Sequence, residues 1–134
     1  MKKRIVTARV ECNKNGFYTV YVVEDLPFGV IGEGHSADEA KSDFLKVYDT
    51  MRKMHQERTG KDCQIDFEFL YDASAFLQHY KGMLTLVGLA RVTGINKNQL
   101  SQYVCGVRHP SKRTQDRIKV SVQKFADELS HAML

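Results

Sequence analysis

From Ile5 to Cys12 the chain alternates with a period of two: Val6, Ala8, Val10 and Cys12 fall on one side, Thr7, Arg9 and Glu11 on the other. That pattern makes a strand with one buried face. Asn13-Lys14-Asn15-Gly16 follows, and Asn and Gly accept the positive φ of tight hairpin turns. Phe17 to Val23 is rich in β-branched and aromatic residues, so it reads as the second strand of the hairpin. Glu24-Asp25-Leu26-Pro27-Phe28-Gly29 breaks it, because Pro27 has no N–H for a ladder, and a short third strand is predicted over Val30 to Glu33.

Ser36-Ala37-Asp38-Glu39 has the spacing of a capping box, in which the serine hydroxyl accepts from the backbone N–H of Glu39 while Glu39 reaches back to the N–H of Ser36. The helix it opens carries Ala40, Phe44, Val47, Met51 and Met54 as one apolar stripe and ends at Thr59-Gly60-Lys61-Asp62. Gln64 to Tyr71 alternates again, with Ile65, Phe67, Phe69 and Tyr71 inward and Gln64, Asp66 and Glu68 outward. The sheet is expected to have one face under the helix and one in water.

Beyond Tyr71 the period changes to that of helices. Asp72 is placed to cap Ala73 to Tyr80, with Phe76, Leu77 and Tyr80 toward a core, and Lys81-Gly82-Met83 interrupts. Thr85 precedes Leu86 to Thr93, which stops at Gly94; Asn96 caps a further helix with Leu100, Tyr103 and Val104 on its apolar side, ending at Cys105-Gly106. Two short helices joined by Thr-Gly-Ile read as a helix-turn-helix. A last helix, roughly Ser111 to Ala132, carries Ile118, Val122, Phe125 and Leu129 on one stripe, which suits either the domain core or a second subunit.

The expectation is therefore an α+β fold: a β-β-β-α-β module over residues 1–71, with a helix packed on a small sheet, then an all-α helix-turn-helix domain over residues 72–134. The length of 134 residues, 43% hydrophobic and 27% charged, suits one ordinary domain or two small ones and excludes a disordered or fibrous chain. No apolar run approaches the roughly 20 residues of a membrane helix, and the basic Met1-Lys2-Lys3-Arg4 is followed by alternation rather than a signal-peptide core, so a cytoplasmic protein is expected. Cys12, Cys63 and Cys105, odd in number and far apart, read as reduced thiols.

Charge separates the halves. Residues 1–70 hold 11 Lys/Arg against 12 Asp/Glu, net −1, whereas residues 71–134 hold 9 against 4, net +5. Between Lys81 and Lys119 eight basic residues face one acid, Asp116, which points to a polyanionic partner.

Two resemblances sharpen this. Gly16-Phe17-Tyr18-Thr19-Val20, Asp25-Leu26-Pro27 and Gly32-Glu33-Gly34-His35-Ser36-Ala37-Asp38-Glu39-Ala40 resemble the N-terminal domain of HicB-family antitoxins over residues 4–71. Phe28-Gly29-Val30 departs from the small pair many members carry there. The likeness implies a partial ribonuclease H-like fold that binds and blocks a small HicA-like ribonuclease toxin, with Glu24, Asp25, Leu26, Pro27 and Phe28 as its contact turn. Leu86, Leu89-Ala90, Thr93-Gly94-Ile95, Leu100-Ser101, Tyr103, Gly106, Arg108 and Pro110-Ser111 resemble the Cro/C1-type helix-turn-helix family over residues 72–130. That likeness implies a recognition helix whose Asn96, Lys97, Asn98, Gln99, Ser101 and Gln102 face the major groove of operator DNA. Asn and Gln pair with adenine and Lys donates to guanine, while Arg108, Lys112 and Arg113 would hold phosphates. Such readers bind as dimers, so a homodimer or higher homo-oligomer is expected.

The leading expectation is a HicB-like antitoxin that also represses its own operon. The alternative is a stand-alone repressor whose N-terminal module dimerises or senses a signal. A third reading, a two-metal nuclease built on Glu24, Asp25, Glu33, Asp38 and Glu39, runs against the capping role of Asp38 and Glu39 and the absence of inward acids on the strands. Cys105 and His109 lack a second pair for zinc. No catalytic residue, metal or cofactor is expected.

Overall fold

The computed structural model describes residues 3–134 as a mixed α+β chain. Strands β1 (Arg4–Cys12), β2 (Tyr18–Val22) and β3 (Ile31–Gly34) are followed by helix α1 (Ala37–Thr59), strand β4 (Ile65–Tyr71) and helices α2 (Ala73–Tyr80), α3 (Leu86–Thr93), α4 (Lys97–Val104) and α5 (Lys112–Ser130). The sheet order is β3-β2-β1-β4. β1 pairs antiparallel with β2, Val10 opposite Val20, and parallel with β4, Val6 opposite Phe67. The parallel edge requires a crossover, and α1 supplies it from β3 at one edge to β4 at the other.

The inward alternation is as the sequence dictates. Val6, Ala8 and Val10 of β1, Tyr18 and Val20 of β2 and Ile65 of β4 are buried beneath Ala37, Ala40, Phe44 and Tyr48 of α1. The stripe on α1 differs from the expected one: after Phe44 the buried residue is Tyr48, Val47 and Met51 are half-buried, and Met54 is exposed. Tyr48 is accepted in the core because its hydroxyl is satisfied, donating to the Cys63 carbonyl at 2.7 Å and accepting from the Ile65 N–H at 2.9 Å. It thereby ties α1 to the start of β4. Phe44 meets Phe67 edge to face at 4.8 Å between ring centres. A Cβ on Gly32 would strike the backbone of Ala40 and Phe44, so glycine there lets α1 lie directly on β3.

The Ser36 cap forms, its Oγ accepting from the Glu39 N–H at 3.0 Å; Glu39 reaches back to the N–H of His35 rather than that of Ser36. At the other end Gly60 closes α1 with φ +75°. After Tyr71 four helices enclose a separate cluster of Leu77, Leu89, Ile95, Leu100, Tyr103 and Ile118. On α5 only Ile118 of the expected stripe is buried; Val122 and Phe125 are half-buried and Leu129 is exposed. The two clusters meet through α2, which packs on β1 and β4, and through the Asp72 N–H, which donates to the Val10 carbonyl at 3.1 Å. Among the described residues no helix is long and apolar enough to cross a membrane.

Candidate nucleic-acid interface

Thr85 caps α3 by accepting from the Gly88 N–H at 3.0 Å, and the helix stops at Gly94, whose φ of +72° an L side chain adopts only under strain. Thr93, buried, holds the turn from inside: its hydroxyl donates to the Leu89 carbonyl at 2.7 Å and accepts from the Ile95 N–H at 3.2 Å. Ile95 and Leu100 then plug the space between α3 and α4. From the opposite side Arg117 of α5 donates Nε to the Thr93 carbonyl at 3.1 Å and Nη2 to that of Gly94 at 3.2 Å. Arg117, counted in the sequence only as one of eight basic residues, is thus spent on the orphan carbonyls at the end of α3.

The α4 positions divide by their partners. Lys97, Asn98 and Gln102 are exposed and Ser101 is half-buried; 97 with 101 and 98 with 102 are one turn apart, so the four share a face. Asn96 is exposed, but its Oδ1 accepts from the Asn98 N–H at 2.7 Å as the helix cap. Gln99 is half-buried and its amide nitrogen donates to the Tyr103 hydroxyl at 2.7 Å, so it is tied to its own helix rather than turned outward.

Beyond α4 the chain wraps the helix end: the N–H groups of Val107 and Arg108 both donate to the Gln102 carbonyl, at 3.0 and 3.3 Å, and the Arg108 guanidinium lies 3.5 Å from Gln102 Oε1. Ser111 caps α5, and Lys112 and Arg113 stand exposed in its first turn, which holds no acid. Cations there oppose the positive end of the helix dipole, at about 0.3–1 kcal/mol each. From Lys97 to Arg113 the sequence contains no carboxylate.

The turn assigned by resemblance to a toxin is partly committed to the core. Leu26 and Phe28 are half-buried against the sheet cluster, Phe28 lying 6.1 Å from the Tyr48 ring and 5.6 Å from His55. Glu24, Asp25 and Pro27 are exposed, with Glu24 3.4 Å from the Arg4 guanidinium. The remaining acids disperse, Asp43 accepting from the Glu33 N–H and Glu39 from that of His35. Among the described residues no three His, Cys, Asp or Glu side chains gather as a metal would require.

Where the halves meet, Asp72 accepts from the Ala75 N–H at 2.7 Å as the α2 cap. Burial pushes its carboxyl above the ordinary value, against the pull of that N–H. Comparison with family models, with curated proteins and with solved structures finds no match to this chain.

Proposed function

We propose that the chain is an antitoxin-like transcriptional regulator of the cytoplasm. In this reading residues 72–134 are a helix-turn-helix domain that binds operator DNA as a dimer, and residues 1–71 dock and block a HicA-like ribonuclease. One observation carries the DNA half: the exposed face of α4 offers Lys97, Asn98 and Gln102, flanked by exposed Arg108, Lys112 and Arg113, with no carboxylate in that stretch. Side-chain amides suit base edges and cations suit phosphates. A phosphate at the first turn of α5 would turn the repulsion between two cations and the helix dipole into attraction. Asn98 and Gln102 are the better base readers, since Asn96 and Gln99 are each held at 2.7 Å within the helix, whereas Gln102 meets Arg108 only at 3.5 Å. For the protein-binding half, the exposed Glu24 and Asp25 suit a basic, RNA-binding partner surface.

The second reading, a repressor whose N-terminal part senses a signal, is favoured by a cleft of about 440 Å³ between the sheet and α5. It is lined by Arg9, Leu70, Asp72, Phe76, Ile118 and Lys119.

The test mixes the purified protein with the DNA upstream of its own gene and, separately, with the product of the neighbouring reading frame. A shifted DNA band that survives excess non-specific competitor supports the regulator. Loss of the neighbour's RNA cleavage on forming a complex supports the antitoxin. DNA binding without such a complex leaves the second reading, and no DNA binding overturns both.

A further inference from the structure

The β1–β2 turn belongs by sequence to the β-rich half, yet it lies against the end of α4. A Cβ placed on Gly106, the residue that closes α4 with φ +73°, would be 3.2 Å from the Lys14 Cα and 3.5 Å from its backbone nitrogen. The approach is backbone to backbone, and a side chain at 106 would be both crowded by Lys14 and strained at that φ. The turn that makes it is stiff. Asn13 Oδ1 accepts from the N–H groups of both Asn15 and Phe17, at 2.9 and 3.0 Å, and the Asn13 carbonyl accepts from the Gly16 N–H at 3.0 Å. Lys14 is therefore presented from a fixed backbone, exposed, and among the described residues it has no carboxylate within salt-bridge distance.

Its neighbours in the chain and across the contact share one character. Asn13 to Gly16 carries a single charge, that of Lys14, and Cys105 to Arg113 carries Arg108, Lys112 and Arg113 and no acid. Gly106 stands two residues before Arg108. A cation held on a hydrogen-bonded turn, with its backbone against the start of a segment whose own sequence holds three cations and no acid, is placed for a polyanion backbone.

We infer that Lys14 is a phosphate contact to DNA contributed by the β-rich half, so that the β1–β2 turn and the α4–α5 segment grip one duplex together. This rests on the DNA-binding reading above and extends it to residues outside the helical half. A contact of this kind carries no base information: it adds affinity on every sequence alike. It also places the two halves on the nucleic acid as one unit.

The experiment measures binding of the full chain to a mixed-sequence DNA duplex by fluorescence anisotropy across a salt series. Wild type is compared with Lys14→Ala, Lys14→Glu, Lys14→Arg and, as a control, Lys61→Ala, an exposed cation beyond the far end of the sheet. Lys14→Ala is expected to lower the slope of log K against log salt by about 0.9 and to weaken binding about tenfold at ~0.05 M salt, the release of one condensed counterion. Lys14→Glu should weaken it further, Lys14→Arg should restore it, and Lys61→Ala should match wild type. Unchanged melting temperatures across the set would show that the turn still folds. Steep salt dependence in wild type with the same slope and affinity in Lys14→Ala and Lys14→Glu overturns the inference while leaving the DNA reader standing. A wild-type protein that binds no duplex overturns the DNA-binding reading and this inference with it.

Discussion

Replacing Arg117 with alanine is expected to destabilise the helical half rather than to subtract a phosphate contact. The guanidinium makes two charge-assisted hydrogen bonds, at 3.1 and 3.2 Å, to the carbonyls of Thr93 and Gly94, which no helical N–H can reach. Such bonds contribute about 1.5–3 kcal/mol each when shielded. Arg117 is exposed, so roughly 1 kcal/mol per bond and about 2 kcal/mol in total is the reasonable figure. For a chain of this length that corresponds to a fall of about 8 °C in Tm, read by circular dichroism or calorimetry. Arg117→Lys keeps the charge but presents a point ammonium in place of the fork, so it should recover less than half of the loss. If Arg117 instead holds a phosphate, Arg117→Ala will melt with wild type while the salt slope of DNA binding drops by about 0.9; that pair of results refutes the reasoning.

At the operator, Gln102→Ala should cost about 1–3 kcal/mol while leaving non-specific binding unchanged, whereas Gln99→Ala, by breaking the bond to Tyr103, should lower stability by about 1 kcal/mol; gel shift and thermal melting separate the two. Asp72→Asn should raise Tm at neutral pH. The carboxyl's pKa is raised in the folded state, so its ionisation opposes folding, and wild type is relatively most stable below the ordinary carboxylate range and loses ground as pH rises through the folded value. The Asn variant keeps a capping oxygen, and its advantage should vanish in melts at pH below about 4. Phe44→Ala removes a fully buried ring that meets Phe67 and Phe69 and should cost about 3–5 kcal/mol in urea unfolding; a loss under 1 kcal/mol would mean that α1 does not seat on the sheet as described.

The elements were legible because each has its own period and punctuation. The alternation of β1, the Ser36 cap and the glycine stops at 60 and 94 are local signals, and each stands where the sequence predicts it. What failed was whatever depends on a partner distant in the chain. The expected α1 stripe left out Tyr48, whose hydrogen-bond partners at Cys63 and Ile65 lie beyond the helix, and it included Met54, which is exposed, because aliphatic character says nothing about which way the helix is rolled. The α5 stripe runs on past Ile118, but burial fades along it, with Val122 and Phe125 half-buried and Leu129 exposed. In the candidate site, exposure of Lys97, Asn98 and Gln102 follows from the period of α4, and the tie between Gln99 and Tyr103 has a spacing of four that could have flagged it. The pairing of Arg117 with Gly94, 23 residues away, and the approach of Lys14 to Gly106 have no counterpart in local sequence.

One strand's direction decides where the four C-terminal helices are hung. Because β4 runs parallel to β1, Tyr71 comes out beside Val10, at the hairpin end of the sheet, and the chain turns there into α2. Had the same seven residues paired antiparallel, the exit would lie about 20 Å away at the other end, the length of a strand at about 3.3 Å per residue. Lys14 and Gly106 could then never meet. The long α1 crossover that makes the parallel edge possible thus acts as a delivery arm, and a substitution that loosened β4 on β1 would cast the helical half adrift from the hairpin without touching a residue of either.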